Sequence, residues 1–379
     1  MILFSHFNLF EKYQFKKHLF PICLLIIITN FNGLYANLYR VYGNLRKLLF
    51  FQLIIPSAQF VVLFFARHEQ LLFLILASTV VANMLALFVF YKNQPLSVVF
   101  SANSRLLSII FKRGIGLLIY NVTFYLIILS SRTIVATLQT PEQLAHYSLA
   151  NNLAGAVFMI VGAMAYIYYP KLINRFSGKS LIESISLLKR IEYTYVPICY
   201  FLVFSGFLFI PCILWLLPNY ADMIPNLKLL LLAQLFFNQC FGSTVLLISH
   251  KKERLLTLHA IVSIAIVCAC LMFFWLTNIH VNYWGIAVLL ASFYYILLVS
   301  YSAYSTAGNK ISHSTLFRSI FPWRLLVPIL ISLVSIAFNN IIIFSMTTFI
   351  VFLLLNYNYI LKAVRLGTTY IVDEKSLHF

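Results

Sequence analysis

The sequence predicts an all-α polytopic membrane protein, and three observations carry that prediction. Hydrophobic residues make up 62% of the 379 positions and charged residues only 9%, a balance found in neither soluble domains nor disordered chains. Apolar runs of about twenty residues, the length a helix needs to cross the hydrocarbon core, recur some eleven times. Lys and Arg concentrate in alternate gaps between those runs, the pattern that orients membrane helices. A bilayer offers no water to backbone N–H and C=O groups, so runs of this length are helices.

The expected spans are 20–38, 49–66, 71–91, 114–138, 147–170, 195–217, 226–249, 255–276, 283–304, 323–339 and 341–361. The first starts after Lys12, Lys16 and Lys17 and gives way to Arg40, Arg46 and Lys47. In the second, Gln52 and Gln59 flank Pro56, and Arg67 follows it. The third ends at Lys92. From there to Arg113 the chain reads as a cytoplasmic linker, with Leu96, Val99, Phe100, Leu106, Leu107, Ile110 and Phe111 set among polar residues. Part of that linker is expected to lie on the inner leaflet as an amphipathic helix. The fourth span contains Arg132, and the fifth contains Asn151 and Asn152 and ends in the aromatic belt Tyr166-Ile167-Tyr168-Tyr169. Pro197 and Pro211 in the sixth, like Pro56, are candidate kinks. Gln234 and Asn238 are one turn apart in the seventh. A basic hairpin with Lys251, Lys252 and Arg254 leads to the eighth, and the ninth follows a short loop. Only Asn339-Asn340 signals a turn between the last two.

The gaps after the odd-numbered spans, with the C-terminal tail, hold twenty-one of the 27 Lys and Arg residues. The opposite gaps hold Arg67 and, at a helix start, Lys228. The basic side is therefore expected inside, with the C-terminus cytoplasmic. Eleven spans then put the N-terminus outside, against the three lysines before the first span. Tyr42-Gly43-Asn44-Leu45-Arg46-Lys47-Leu48-Leu49 and Ser249-His250-Lys251-Lys252-Glu253-Arg254-Leu255-Leu256 are similar basic hairpins. They pair spans 1–3 with spans 7–9, as in a parent of two six-helix halves lacking its first three helices. The expected organisation is a partial N-terminal lobe (1–91), the linker (92–113), a six-helix lobe (114–304), and two peripheral helices with a tail (305–379).

The formal net charge of +18 follows from this topology, so no nucleic-acid partner is expected. The six cysteines stand in apolar surroundings with no C-x-x-C pair, so neither a metal site, a cofactor nor a disulfide framework is expected. All nine acidic residues are placed in loops or at helix ends, leaving no mid-membrane carboxylate for Na⁺ or H⁺. That favours an anionic substrate over a cationic drug. His146 and His259 are either proton-handling residues or hydrogen-bonded polar residues near the interface.

Arg132 lies six residues from the outer end of its span, roughly 9 Å deep at ~1.5 Å per residue. An intramembrane cation either faces a water-filled cavity or a partner, or snorkels to the surface along its stem. Asn121, Tyr125 and Arg132 share one helix face. The planar guanidinium suits a pyrophosphate, and Tyr and Asn suit sugar hydroxyls. Asn151, Gln234 and Asn238 complete the candidate substrate site, although each could equally make interhelical hydrogen bonds. Gly155, Ala156, Gly162 and Ala163 are expected to be close-packing positions.

Residues 138–175, LQTPEQLAHYSLANNLAGAVFMIVGAMAYIYYPKLINR, resemble the start of the second half of polysaccharide and O-antigen flippases. These belong to the multidrug/oligosaccharidyl-lipid/polysaccharide exporter superfamily. Leu217-Pro218-Asn219-Tyr220-Ala221 and Trp284-Gly285-Ile286-Ala287 resemble later segments of the same family, in the same order. The resemblance implies a two-lobe flippase fold, here with an incomplete N-terminal lobe, in the bacterial inner membrane. It implies a transporter and not an enzyme, with a lipid-linked oligosaccharide as substrate and membrane lipids and other polysaccharide assembly proteins as partners. Leu129-Ser130-Ser131-Arg132 departs from the family, where many relatives carry an Asp. A peptidoglycan-precursor flippase or drug exporter of the superfamily is the alternative. A membrane polymerase or acyltransferase ranks lower, because outer loops of about four to ten residues leave little room for its active site.

Overall fold

The computed structural model describes residues 15–41, 53–62, 71–92, 104–177, 180–308, 312–337 and 341–373. Among these residues the architecture is all-α, without a strand. The chain divides after Ser104 into two units, Met1–Ser104 and Arg105–Phe379.

The first unit holds α1 (Phe15–Val41), α2 (Leu53–Val62) and α3 (Leu71–Lys92). Its interior carries a polar ladder. The buried Asn32 amide of α1 donates to the side-chain oxygen of Asn83 in α3, and Asn83 donates to the Thr79 carbonyl at 2.6 Å. Gln59 of α2 donates to the Thr79 hydroxyl at 2.9 Å, so it serves as an interhelical tie. Gln52 and the hairpin at 42–49 lie outside the described residues.

The second unit begins with α4 (Ser104–Leu138), α5 (Pro141–Val157), α6 (Met159–Ser177) and α7 (Leu181–Leu216). Residues 104–113, expected in the linker, continue straight into α4; no proline interrupts them. α5 starts at Pro141, six residues before the expected boundary, because Thr140 and Gln143 form a capping box behind a proline at the first helical position. The expected single span 147–170 is divided at Phe158 into α5 and α6. Ser180 and Glu183 cap α7 in the same way. α7 runs for 36 residues, unbroken through Pro197 and Pro211. At ~1.5 Å per residue it is longer than the ~30 Å hydrocarbon core, so it projects beyond one face.

A 3₁₀ turn (Pro218–Met223) leads to α8 (Ile224–Gln239) and α9 (Phe241–Ser249), which together form one candidate span. α10 (Glu253–Leu276) follows a tight turn in which Lys251 takes φ 57°. A second 3₁₀ turn (Val281–Tyr283) precedes α11 (Gly285–Thr306). Then come α12 (His313–Ile320), α13 (Trp323–Ala337) and α14 (Ile341–Asp373). α12, which the sequence reading leaves as loop, meets α13 at a 74° bend.

Six helices among the described residues are long and apolar enough to cross a membrane, or seven with the bent pair counted as one span. Eleven spans are expected from the sequence; the difference falls in the first unit and in α5–α6, whose described stretches are shorter. α8 is central to the second unit: it packs on α5, α7, α11 and α13. The last two helices pack on the rest of the unit along one side. α14 lies along α7, with Phe352 fully buried against Tyr200 and Phe204. Asn356 of α14 donates to the Arg324 carbonyl at the start of α13. The Asn339-Asn340 turn lies outside the described residues.

Close packing is supplied by glycines other than the expected ones. A Cβ on Gly155 or Gly162 would meet nothing within 4 Å. On Gly242 it would lie 3.0 Å from Leu188, and on Gly285 3.0 Å from Leu229. Ala156 and Ala163 are exposed. The small residues of α5 and α6 therefore leave space open where the sequence suggests contact.

Candidate functional site

A two-residue turn joins α4 to α5, and the Arg132 side chain of α4 reaches the middle of α5. Tyr125, Ile128, Leu129 and Arg132 of α4 line a cavity of about 340 Å³. Asn151, Asn152, Gly155 and Ala156 of α5 form its opposite wall, Met159 of α6 and Gln234 of α8 complete the lining, and the cavity is open on the side of the exposed Tyr125 and Met159. The open space beside Gly155 and Ala156 is part of this cavity.

Arg132 is half-buried and donates through Nη2 to the Asn152 side-chain oxygen. The buried Asn151 carboxamide, turned oxygen-first toward the guanidinium, accepts from Nε at 2.9 Å and Nη2 at 2.6 Å. Both partners are neutral. An arginine stays ionised in any protein setting, so the cavity carries an uncompensated positive charge. Nη1 has no partner among the described residues, which leaves a planar pair of donors for an oxyanion.

Four of the six expected site residues thus share one cavity: Tyr125, Arg132, Asn151 and Gln234. Asn121 and Asn238 do not line it. Asn121 lies one turn before Tyr125, exposed and short of the cavity wall. Asn238 turns back on its own helix and donates to the Gln234 carbonyl at 2.8 Å. Asn152, which holds the guanidinium, was the neighbour that spacing could have included: it follows Asn151 directly in the sequence.

A second cavity, of about 220 Å³, corrects the placement of the acids. Glu192 lies eleven residues into α7 and inside its candidate span, not at a helix end. Its carboxylate accepts from the Tyr304 hydroxyl at 3.0 Å. Lys189, Tyr193, Gln239, Tyr304 and Tyr359 line the same cavity, with Ser319, Pro322 and Leu325 from the α12–α13 bend. Gln239 bridges the walls, accepting from Tyr200 at 3.3 Å and donating to the Ile320 carbonyl at 2.7 Å.

Arg132 also has company as a cation within the helices. Lys228 of α8 is buried, and its ammonium donates to the carbonyl (3.2 Å) and hydroxyl (3.0 Å) of Ser335 near the end of α13. Lys228, expected at a helix start, is therefore a packing residue inside α8, which begins four residues earlier. Of the two histidines, His259 pairs with the Ser302 hydroxyl at 2.9 Å, and His146 packs on Tyr220 with ring centroids 5.0 Å apart. Among the described residues no group of three His, Cys, Asp or Glu side chains could hold a metal ion, and the six cysteines are free. No family model, curated protein or solved structure matches the chain.

Proposed function

We propose that the chain is a transporter of the bacterial inner membrane that flips an undecaprenyl-pyrophosphate-linked oligosaccharide for O-antigen or capsular polysaccharide assembly. The observation that carries this reading is the Arg132 cavity. Its guanidinium is held by two carboxamides and keeps Nη1 free, so it offers charge and geometry to a phosphate oxygen. Tyr125 and Gln234 supply a ring face and an amide for sugar hydroxyls beside it. A diphosphate head group must cross a low-dielectric region, and a cationic hydrated cavity lowers that barrier while the polyprenyl tail stays in lipid. Alternating exposure of the cavity to the two sides would complete the cycle, as in other repeat-built transporters. In this reading the protein is not an enzyme, its C-terminus is cytoplasmic, and other polysaccharide assembly proteins act beside it.

The test is complementation of a strain that lacks its own repeat-unit flippase. Arg132→Ala should abolish surface polysaccharide, and Arg132→Lys should retain part of it, at unchanged protein level. Normal transport by Arg132→Ala would make the residue a snorkelling anchor. One observation favours a second reading, a cation exporter of the same superfamily: Glu192 is a carboxylate in the first third of α7, beside a cavity. Loss of drug resistance in Glu192→Gln, with polysaccharide export absent from the wild type, would select that alternative.

A further inference from the structure

The bend between α12 and α13 has a geometry and a surface chemistry that the transport reading does not use. The two helices meet at 74°, so if α13 crosses the bilayer, α12 lies close to the membrane plane. α12 is divided lengthwise. Leu316 and Ile320, with Phe321 just beyond, are buried, and Phe321 packs on Phe236 and Phe293. Arg318 is exposed, and Phe317, its ring centroid 5.4 Å from that of Phe321, keeps 37% of its surface exposed. At the start of α13, Trp323 is 62% exposed and the Arg324 guanidinium sits over its ring, 5.7 Å from the centroid. The outer face of the bend is thus two arginines and two aromatic rings.

Charge singles out this face. The sequence has no acidic residue between Arg254 and Val372, so nothing within the segment neutralises Arg318 and Arg324. The carboxylate of the nearby cavity, Glu192, lies on the inward side of the bend and is bound to Tyr304. Tryptophan and phenylalanine settle at the boundary between acyl chains and head groups, and arginine there meets lipid phosphates. The apolar edge of α12 is packed on the protein, so the face left for that boundary is the one with the arginines and Trp323.

We infer that the α12–α13 bend is a binding surface for anionic phospholipid head groups, with Arg318 and Arg324 on the phosphate and Phe317 and Trp323 in the acyl boundary. The site prefers phosphatidylglycerol over phosphatidylcholine, because the choline cation cancels the charge the arginines read.

The full-length protein, reconstituted into phosphatidylcholine vesicles, tests this with Trp323 as reporter. A minor fraction of lipid is replaced by brominated phosphatidylglycerol or, in parallel, by brominated phosphatidylcholine. The Trp323 signal is the difference between wild type and Trp323→Phe. Two surface arginines should enrich the anionic quencher by on the order of tenfold, giving much stronger quenching at equal fraction. The preference should collapse at high salt in the wild type, a readout that needs no variant. It should vanish in Arg318→Gln/Arg324→Gln and persist in Lys251→Gln/Lys252→Gln, which removes two cations elsewhere. Equal quenching by the two lipids in the wild type overturns the proposal. So does a preference that survives either high salt or the double arginine variant.

Discussion

Asn226 is the residue whose loss should be felt furthest from its own position. It is buried in the first turn of α8 and ties two segments of the α10–α11 connection. Its amide donates to the Val281 carbonyl at 2.9 Å, and its side-chain oxygen accepts from the Gly285 N–H at 2.7 Å. Gly285 is the first residue of α11, and the early N–H groups of a helix have no intrahelical partner. Asn226→Ala removes both bonds, at about 1 kcal/mol net each, and leaves a buried N–H without an acceptor, which costs about 1–3 kcal/mol more. Hydrogen bonds between membrane helices average only ~0.6 kcal/mol, so the orphaned N–H carries most of the effect. A total destabilisation of about 2–4 kcal/mol is expected. Reversible unfolding in mixed micelles or steric trapping measures it, with Asn219→Ala, exposed in the preceding 3₁₀ turn, as a control expected near zero. A change below about 0.5 kcal/mol for Asn226→Ala would mean that water or a shifted backbone satisfies Gly285, and would refute the reasoning.

Three further outcomes follow from the same structure. Phe352→Ala should cost about 3–5 kcal/mol, because the ring fills the α7–α14 interface and lipid cannot reach the void; chemical denaturation measures it, with the exposed Leu354→Ala of the same helix as control. Lys228→Met should be neutral or slightly stabilising in the same assay, since Ser335 keeps its bond to the Ser332 carbonyl; Lys228→Glu should impair folding by burying a carboxylate, and a well-folded Lys228→Glu protein would contradict the burial. Ser177→Cys, exposed at the end of α6, should react with an impermeant thiol reagent only from the cytoplasmic side; labelling in intact cells would invert the topology.

The later helices were legible because their ends carry strong punctuation. The expected spans 255–276 and 283–304 correspond to Glu253–Leu276 and Gly285–Thr306, bounded by Lys252, Asn278 and Gly308. Earlier boundaries erred where hydropathy outweighed capping. Thr140-Pro141-Glu142-Gln143 and Ser180-Leu181-Ile182-Glu183 spell helix starts, but both stand outside the apolar runs. The same preference for apolar runs put Glu192 outside the helix that holds it. Of the cavity, Arg132 was legible because a charge in an apolar run stands alone, whereas its hold on Asn151 and Asn152 depends on how α4 and α5 face each other. Spacing within one helix could not say that Asn121 falls short of the cavity or that Asn238 folds back on Gln234. Nor does a Gly-Ala pattern reveal whether a neighbour approaches; Gly242 and Gly285, each alone in its helix, are the tight positions.

The position of α8 bears on how the chain is assembled in a cell. In the span Pro218–Ser249, 78% of the most apolar window is buried, against 22–56% for the other candidate spans. The same stretch carries Asn226, Lys228, Gln234, Asn238 and Gln239, which an isolated helix would expose to lipid at considerable cost. Two of its partners, Val281 and Ser335, are synthesised only afterwards. During translation this helix therefore leaves the insertion machinery before the groups that satisfy it exist. It must wait beside α5 and α7, or under a chaperone, until α11 and α13 arrive. A ribosome-stalled chain ending before residue 281 should accordingly be a better protease substrate at α8 than one ending after residue 337.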